Sequence, residues 1–194
     1  MNWYTLALFA HILGVIGLFV GLSFTLASAL RLRRARTVAQ VRAETTFGGA
    51  QRVLIVASSL LLLAAGIYMT VTAWDSDPPW ILVSLAALLV MGVLGGGVSG
   101  RRLSAIEKAA AAEDEAGSIS PALKRQLADP VLLTAMQTTG MIGLGVVFLM
   151  TAKPDLIGSL IALAAALVLG VVSALFWRRP AEARALVEKA APGA

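Results

Sequence analysis

The chain has 194 residues, of which 58% are hydrophobic and only 14% charged, and its mean hydropathy is +0.84. A soluble globular domain carries about 25% charged residues, so this chain has too few charges to cover the surface of one. Its net charge of +5 comes from short basic segments between apolar runs, which predicts a lipid bilayer as the partner and argues against nucleic acid.

Five apolar runs follow one another along the chain, and none of them contains Asp, Glu, Lys or Arg. They cover residues 3–30, 53–74, 80–100, 131–151 and 156–177. Each run exceeds the roughly 20 helical residues that cross a bilayer core. Because lipid offers the backbone no hydrogen-bond partner, the runs are helices and not open strands. We therefore predict an all-α polytopic membrane bundle of five transmembrane helices, with one domain over residues 1–179 and a short cytoplasmic tail at 180–194.

The basic residues predict how the bundle is oriented. The first and third connections and the tail hold 15 of the 16 Lys and Arg residues, whereas the opposite side has only Lys153 with Asp75, Asp77 and Asp155. Since Lys and Arg accumulate on the cytoplasmic side, we expect the N-terminus outside and the C-terminus in the cytoplasm. Four tryptophans are expected at the interfaces, with Trp3, Trp74 and Trp80 outside and Trp177 inside.

The longer connections contain signals for short helices. Val38 and Val41 share one side of a segment that we predict to lie as a helix on the membrane surface. Ser120-Pro121 and Asp129-Pro130 each place a capping side chain before a proline, which indicates two helix starts.

Two of the predicted spans carry glycines at helical spacing. The first span has Gly14, Gly17 and Gly21, and the third has Gly92, Gly96 and Gly100. Small residues along one face let helices approach closely in lipid, so we predict these six as packing positions. A flat ligand would also need missing side chains, and the spacing does not decide between another helix of the same chain and a second copy.

His11 is the one histidine, about two turns below the outer end of the first span. A polar ring at that depth is costly to expose to lipid, so it should point inward. One interpretation is a packing residue that is hydrogen-bonded to Tyr68, Ser84 or Thr72. The other is a haem or copper ligand, with Met69 or Met150 supplying a sulfur.

Enzyme and transport functions find less support. Every carboxylate lies outside the spans, so His11 would lack an orienting acid for hydrolysis. Coupled transport generally uses buried charges, and the spans have none. Cysteine is absent from the chain, which excludes disulfides and thiolate metal sites. We expect a protein that is not an enzyme, and small-molecule transport is a third interpretation.

Several local patterns resemble an uncharacterised family of predicted bacterial integral membrane proteins that is distantly similar to the copper-resistance D membrane proteins. They are Ala10-His-Ile-Leu-Gly-Val-Ile-Gly, Ala65-Gly-Ile-Tyr-Met, Pro79-Trp80, Gly92-Val-Leu-Gly-Gly-Gly, Gly100-Arg-Arg-Leu and Leu149-Met-Thr-Ala-Lys-Pro. The resemblance covers roughly residues 1–155. It implies a multi-pass protein of the bacterial inner membrane, draws attention to His11, and brings no established activity.

The leading hypothesis is therefore a non-enzymatic protein that acts by helix association, as an accessory subunit or as a self-associating bundle. Its partners would be the bilayer and either a second copy or another membrane protein. The alternative is a protein that binds haem b or copper, with His11 as one ligand.

Overall fold

A computed structural model describes residues 2–73, 78–114 and 117–190, with side chains as far as Phe176. Trp74, Asp75, Asp77 and residues 191–194 lie outside the described residues, and so does the side chain of Trp177. The described chain forms α1 (Trp3–Leu32), α2 (Val38–Thr46), α3 (Gly48–Ala73), α4 (Pro79–Gly92), α5 (Arg101–Ala112), α6 (Pro121–Leu127), α7 (Pro130–Ala152) and α8 (Leu156–Ala190). Five of its helical segments are long and apolar enough to span a membrane, so the predicted all-α membrane bundle is confirmed.

The helices extend beyond the apolar runs that predicted them. Helix α3 begins at Gly48, before the predicted start at residue 53, and α8 continues past residue 179 to Ala190. Helix α4 passes through a π-helical segment, Val93–Gly100, directly into α5. Hydropathy marks only the part of a helix that lipid surrounds, so it misses turns that continue into the headgroups or water.

Both predicted helix starts are confirmed. The Ser120 side chain accepts the backbone N–H of Leu123 at the start of α6. The Asp129 carboxylate accepts the N–H of Val131 at the start of α7, 2.8 Å away. In each case a proline occupies the first turn, where its missing N–H costs no helical hydrogen bond.

Helix α7 lies at the centre of the bundle. The span that contains it is 56% buried over its most apolar stretch, whereas the other four spans are 17–22% buried. Helix α8 runs along one side of α7, α4 and the π-helical segment pack on another, and α1 touches it as well. Helix α3 packs chiefly along α1, so it joins the bundle mainly through that one neighbour.

A second hydrophobic core lies beyond one end of the spans. We call α2, α5 and α6, with the adjoining ends of α1 and α7, the peripheral layer. Its core residues are at most 5% exposed: Leu32, Val38, Val41, Ile106, Ala110, Ile119, Leu123, Leu127 and Leu132. The predicted short helix is confirmed as α2, but its apolar face does not contact lipid, because Val38 and Val41 are fully buried inside this layer. An apolar stripe on a short helix suits a protein core as well as lipid.

Polar contacts tie the peripheral layer together. From α2, Arg42 donates to three carbonyl oxygens at the end of α5: Ala110 at 3.0 Å, Ala111 at 3.3 Å and Glu113 at 2.6 Å. The last carbonyls of a helix have no partner within it and carry the negative end of its dipole, so a guanidinium stabilises them. Arg102 also pairs with Asp129 at 2.6 Å, which joins α5 to the start of α7.

Candidate functional site

The interface between α1 and α3, here called the seam, is built on the glycines of α1. A Cβ atom at Gly14 would stand 2.8 Å from the backbone nitrogen of Leu62 and 2.9 Å from the carbonyl oxygen of Ser58. At Gly21 it would stand 2.5 Å from Ile55 Cγ1, and at Gly17 it would clash with the Ser58 hydroxyl. The space at these glycines is therefore filled by α3 of the same chain, and it is not available to a flat ligand.

His11 lies in the seam one turn from Gly14, toward the N-terminus of α1. Its side chain is buried, and Nδ1 is 2.9 Å from the carbonyl oxygen of Leu62. A carbonyl oxygen can only accept, so Nδ1 carries the proton and donates it. The ring lies against Gly66, where an added Cβ would be 3.2 Å from His11 Cε1. Glycine on α3 thus makes room for the imidazole, just as glycine on α1 makes room for α3.

The partner of His11 differs from the three side chains that the sequence suggested. The acceptor is the backbone of Leu62, and the Thr72 hydroxyl instead donates to the Tyr68 carbonyl at 2.8 Å within its own helix. The buried Ser84 hydroxyl has no hydrogen-bond partner among the described residues. A backbone acceptor leaves no mark in the sequence, so residue types alone do not identify it.

The hydrogen bond at Nδ1 has a consequence for the other ring nitrogen. In a neutral imidazole with the proton on Nδ1, Nε2 holds the lone pair, and in the described part of the chain it accepts no hydrogen bond. Metal-binding histidines usually donate the second N–H in this way to a carboxylate or a backbone carbonyl. Across the described residues, no three His, Cys, Asp or Glu side chains form a metal-binding group. The seam thus offers a metal ion one oriented ligand atom, Nε2 of His11.

The two predicted sulfur ligands are half-buried in the same half of the bundle. Because α1 and α3 run antiparallel and Gly66 faces His11, Met69 falls about one turn further along the seam, toward the N-terminal end of α1. On α7, Gly143 faces Phe19 of α1. Counting from this contact toward the N-terminus of α1 and the C-terminus of α7 places Met150 level with His11. Ligation by either sulfur stays a prediction.

The glycines of the third span have a different environment from those of α1. A Cβ atom added at Gly92 or Gly96 would meet nothing within 4 Å. Gly92 forms the floor of an open groove of about 570 Å³ on the outer surface of the bundle, which we call the glycine groove. The residues that line it are Leu88, Leu89, Gly92, Val93, Gly97, Val98 and Arg101.

The π-helical segment determines which glycines reach this groove. Hydrogen bonds from residue i to i+5 widen the turn, so residues five apart lie closer to one face than they do in an α-helix. Gly92 and Gly97 accordingly line the groove together, although the sequence spacing had grouped Gly92 with Gly96 and Gly100. A Cβ at Gly100 would be 3.4 Å from the carbonyl oxygen of Gly95 in the same helix. Gly97 and Arg101 were not predicted as site residues, and the crowding of glycines before a basic pair was the available signal.

Comparison with known proteins adds a family. Residues 5–154 match the family described as "Predicted integral membrane protein (DUF2269)". That range includes the seam, the glycine groove and the peripheral layer, and it ends before α8. No curated protein and no solved structure matches the chain.

Proposed function

We propose that this chain, which belongs to the DUF2269 family of predicted integral membrane proteins, is non-enzymatic and acts by helix association. It would serve as an accessory subunit or as a self-associating bundle. We propose that it resides in the inner membrane of a bacterium. Its N-terminus would lie outside, because the basic residues gather on the side of the peripheral layer.

The observation that carries this proposal is the contrast between the two glycine faces. On α1 the glycines are covered by α3, whereas a Cβ atom added at Gly92 or Gly96 would meet no other part of the chain within 4 Å. Lipid tails are as apolar as leucine, so helices in a membrane associate through close packing and not through the hydrophobic effect. A groove with a glycine floor and Leu and Val walls offers the close backbone approach that such packing needs. A helix of another subunit is the occupant that this shape favours.

The natural absence of cysteine gives a direct test. A single cysteine at Leu89, a wall residue of the groove that is 69% exposed, should form cross-linked species in native membranes. The same change at Val168 on α8, which is 61% exposed, is the matched control and should cross-link much less. Adding Gly92→Leu to the Leu89→Cys variant should reduce cross-linking at least about fivefold by filling the groove floor.

Purified protein in lipid discs then distinguishes the two forms of association. Cross-linked dimers of the pure chain would indicate self-association, and products seen only in native membranes would indicate a subunit of another complex. Equal cross-linking at Leu89 and Val168, or no effect of Gly92→Leu, would contradict the proposal. Gly140→Leu is the control for the substitution itself, because an added Cβ at Gly140 would also meet nothing within 4 Å and Gly140 does not line the groove.

A second candidate function is haem or copper binding, and the hydrogen bond from His11 to Leu62 favours it. The bond fixes the ring and leaves Nε2 as the donor nitrogen. A second ligand would come from Met69, from Met150 or from a second copy. This candidate and association are compatible, because the glycine groove and the seam are different surfaces.

Replacing His11 by Ala should abolish a bound cofactor if this second function is correct. The measurement is the absorption spectrum, oxidised and dithionite-reduced, with metal analysis of protein that was produced with haem and copper available. Met69→Leu and Met150→Leu identify the sulfur ligand, and Met141→Leu is the control. A wild-type spectrum without a Soret band, from protein that also lacks copper, would remove this candidate. An unchanged cofactor load in His11→Ala would remove His11 as the ligand.

A further inference from the structure

We propose that the cleft between the end of α1 and α2 binds the phosphate of an anionic phospholipid. This site is separate from the glycine groove and independent of helix association. The cleft has a volume of about 280 Å³. It is lined by Arg31, Arg34, Ala35, Gln40, Ala43 and Glu44.

The polar groups of the cleft are arranged as donors. Arg31 gives its Nε–H to Glu44 at 2.7 Å, which orients the guanidinium and leaves its terminal nitrogens for another acceptor. The Gln40 side-chain oxygen accepts the backbone N–H of Arg36 at 2.8 Å, so its NH₂ group remains to donate. The Arg34 side chain makes no hydrogen bond or ion pair with the part of the chain that the structure describes. An anion is the ligand that such a set of donors suits.

Glu44 is the one acid of the cleft, and its two oxygens are already engaged. One oxygen accepts from Arg31, and the other accepts the Ser28 hydroxyl at 3.2 Å. Two guanidinium groups against one carboxylate leave the cleft with a net positive charge. Arginine is well suited to phosphate because its planar fork donates two hydrogen bonds to one phosphate group.

The depth of the cleft identifies the source of the phosphate. Trp3 is at the start of α1, where an indole prefers the membrane interface. Arg31 lies 28 residues further along the same helix, a rise of about 42 Å. A bilayer with its headgroups is about 40–45 Å thick, so Arg31 reaches the opposite headgroup layer. A phospholipid phosphate is the anion most concentrated there, which favours lipid over a soluble phosphate.

Lipid binding to the purified full-length chain tests this site. After delipidation in detergent, native mass spectrometry with added phosphatidylglycerol should show one tightly held lipid per chain. Phosphatidylcholine, which has no net charge, should bind at least about tenfold more weakly. Arg34→Ala should lower the phosphatidylglycerol affinity at least about tenfold, because it removes a charged donor. Arg125→Ala, an exposed residue of α6, makes the same change in net charge and should leave the affinity unchanged.

Three results would overturn the proposal. Equal binding of the two lipids, or an equal loss in Arg125→Ala, would mean that no specific site exists. Binding of inorganic phosphate alone, with the same dependence on Arg34 and an affinity equal to that for phosphatidylglycerol, would assign the cleft to a soluble anion.

Gln40→Glu is a second variant that keeps the size of the side chain and should also weaken lipid binding. Each variant is first compared with the wild type by thermal unfolding, so that loss of fold is recognised.

Discussion

Replacing Gly14 by Leu should separate α3 from the bundle and cause a large loss of stability. Even the first added carbon would stand within 3 Å of the backbone of Leu62 and Ser58, and backbone does not move aside as a flexible side chain does. Overpacking a close interface costs about 1–3 kcal/mol and occasionally more, and a leucine here belongs at the upper end. Because α3 is attached chiefly through α1, the loss is not shared with other contacts. The thermal midpoint in detergent should fall by roughly 6–12 °C.

A graded series makes this prediction specific to the seam. Gly14→Ala should cost less than Gly14→Leu and still lower the midpoint clearly. Gly92→Leu adds the same side chain at a similar depth, where an added Cβ would meet nothing within 4 Å, and it should leave the midpoint of the monomer almost unchanged. If Gly92→Leu destabilised the isolated chain as much as Gly14→Leu, the contrast between a filled and an open glycine face would be wrong.

The sequence predicted the spans well because lipid imposes a direct physical requirement. A residue in the hydrocarbon must be apolar and its backbone must be helical, so the composition of a run reports its environment without any tertiary information. The caps at Ser120 and Asp129 were predictable for a similar reason. Their chemistry is local, since the side chain and the N–H that it accepts are two or three residues apart.

The partners of the candidate site residues could not be predicted in this way. Gly14 and Gly92 look alike in the sequence, yet one lies against a helix backbone and the other opens onto the surface. That difference arises from how α3 and α7 are arranged around α1 and α4, which spacing along one helix does not contain. The π-helical segment adds a second reason, because it changes the residues per turn on which every face assignment depends.

The peripheral layer shows the same limit in a different form. Val38 and Val41 formed a recognisable apolar stripe, but a stripe states only that a face avoids water. This face packs against the protein core around Ile106 and Leu123, residues that two transmembrane spans separate from α2 in the sequence. For His11, burial was predictable from the cost of exposing a polar ring to lipid, whereas the Leu62 carbonyl as acceptor was not.

Arg42→Ala should loosen the peripheral layer while leaving the spans helical. The substitution removes the guanidinium that contacts the carbonyl oxygens of Ala110, Ala111 and Glu113 at the end of α5. Hydrogen bonds to charged groups contribute about 1.5–3 kcal/mol each, and the carbonyls of the last helical turn have no partner within their own helix. Hydrogen exchange of amides in α5 and α6 should therefore accelerate at least about tenfold, with little change in α7.

Arg52→Ala is the matched control for this prediction, because it removes an arginine that also connects to α5. Arg52 lies 3.8 Å from Glu107, and both side chains are more than half exposed. Exposed ion pairs of this kind contribute at most about 1 kcal/mol, so exchange in α5 should change little. Arg42→Lys keeps the charge, but a lysine ammonium lacks the planar fork with which the guanidinium reaches three carbonyls. This variant should therefore recover only part of the protection. Equal effects of Arg42→Ala and Arg52→Ala would show that net charge, and not the contact with the end of α5, stabilises the layer.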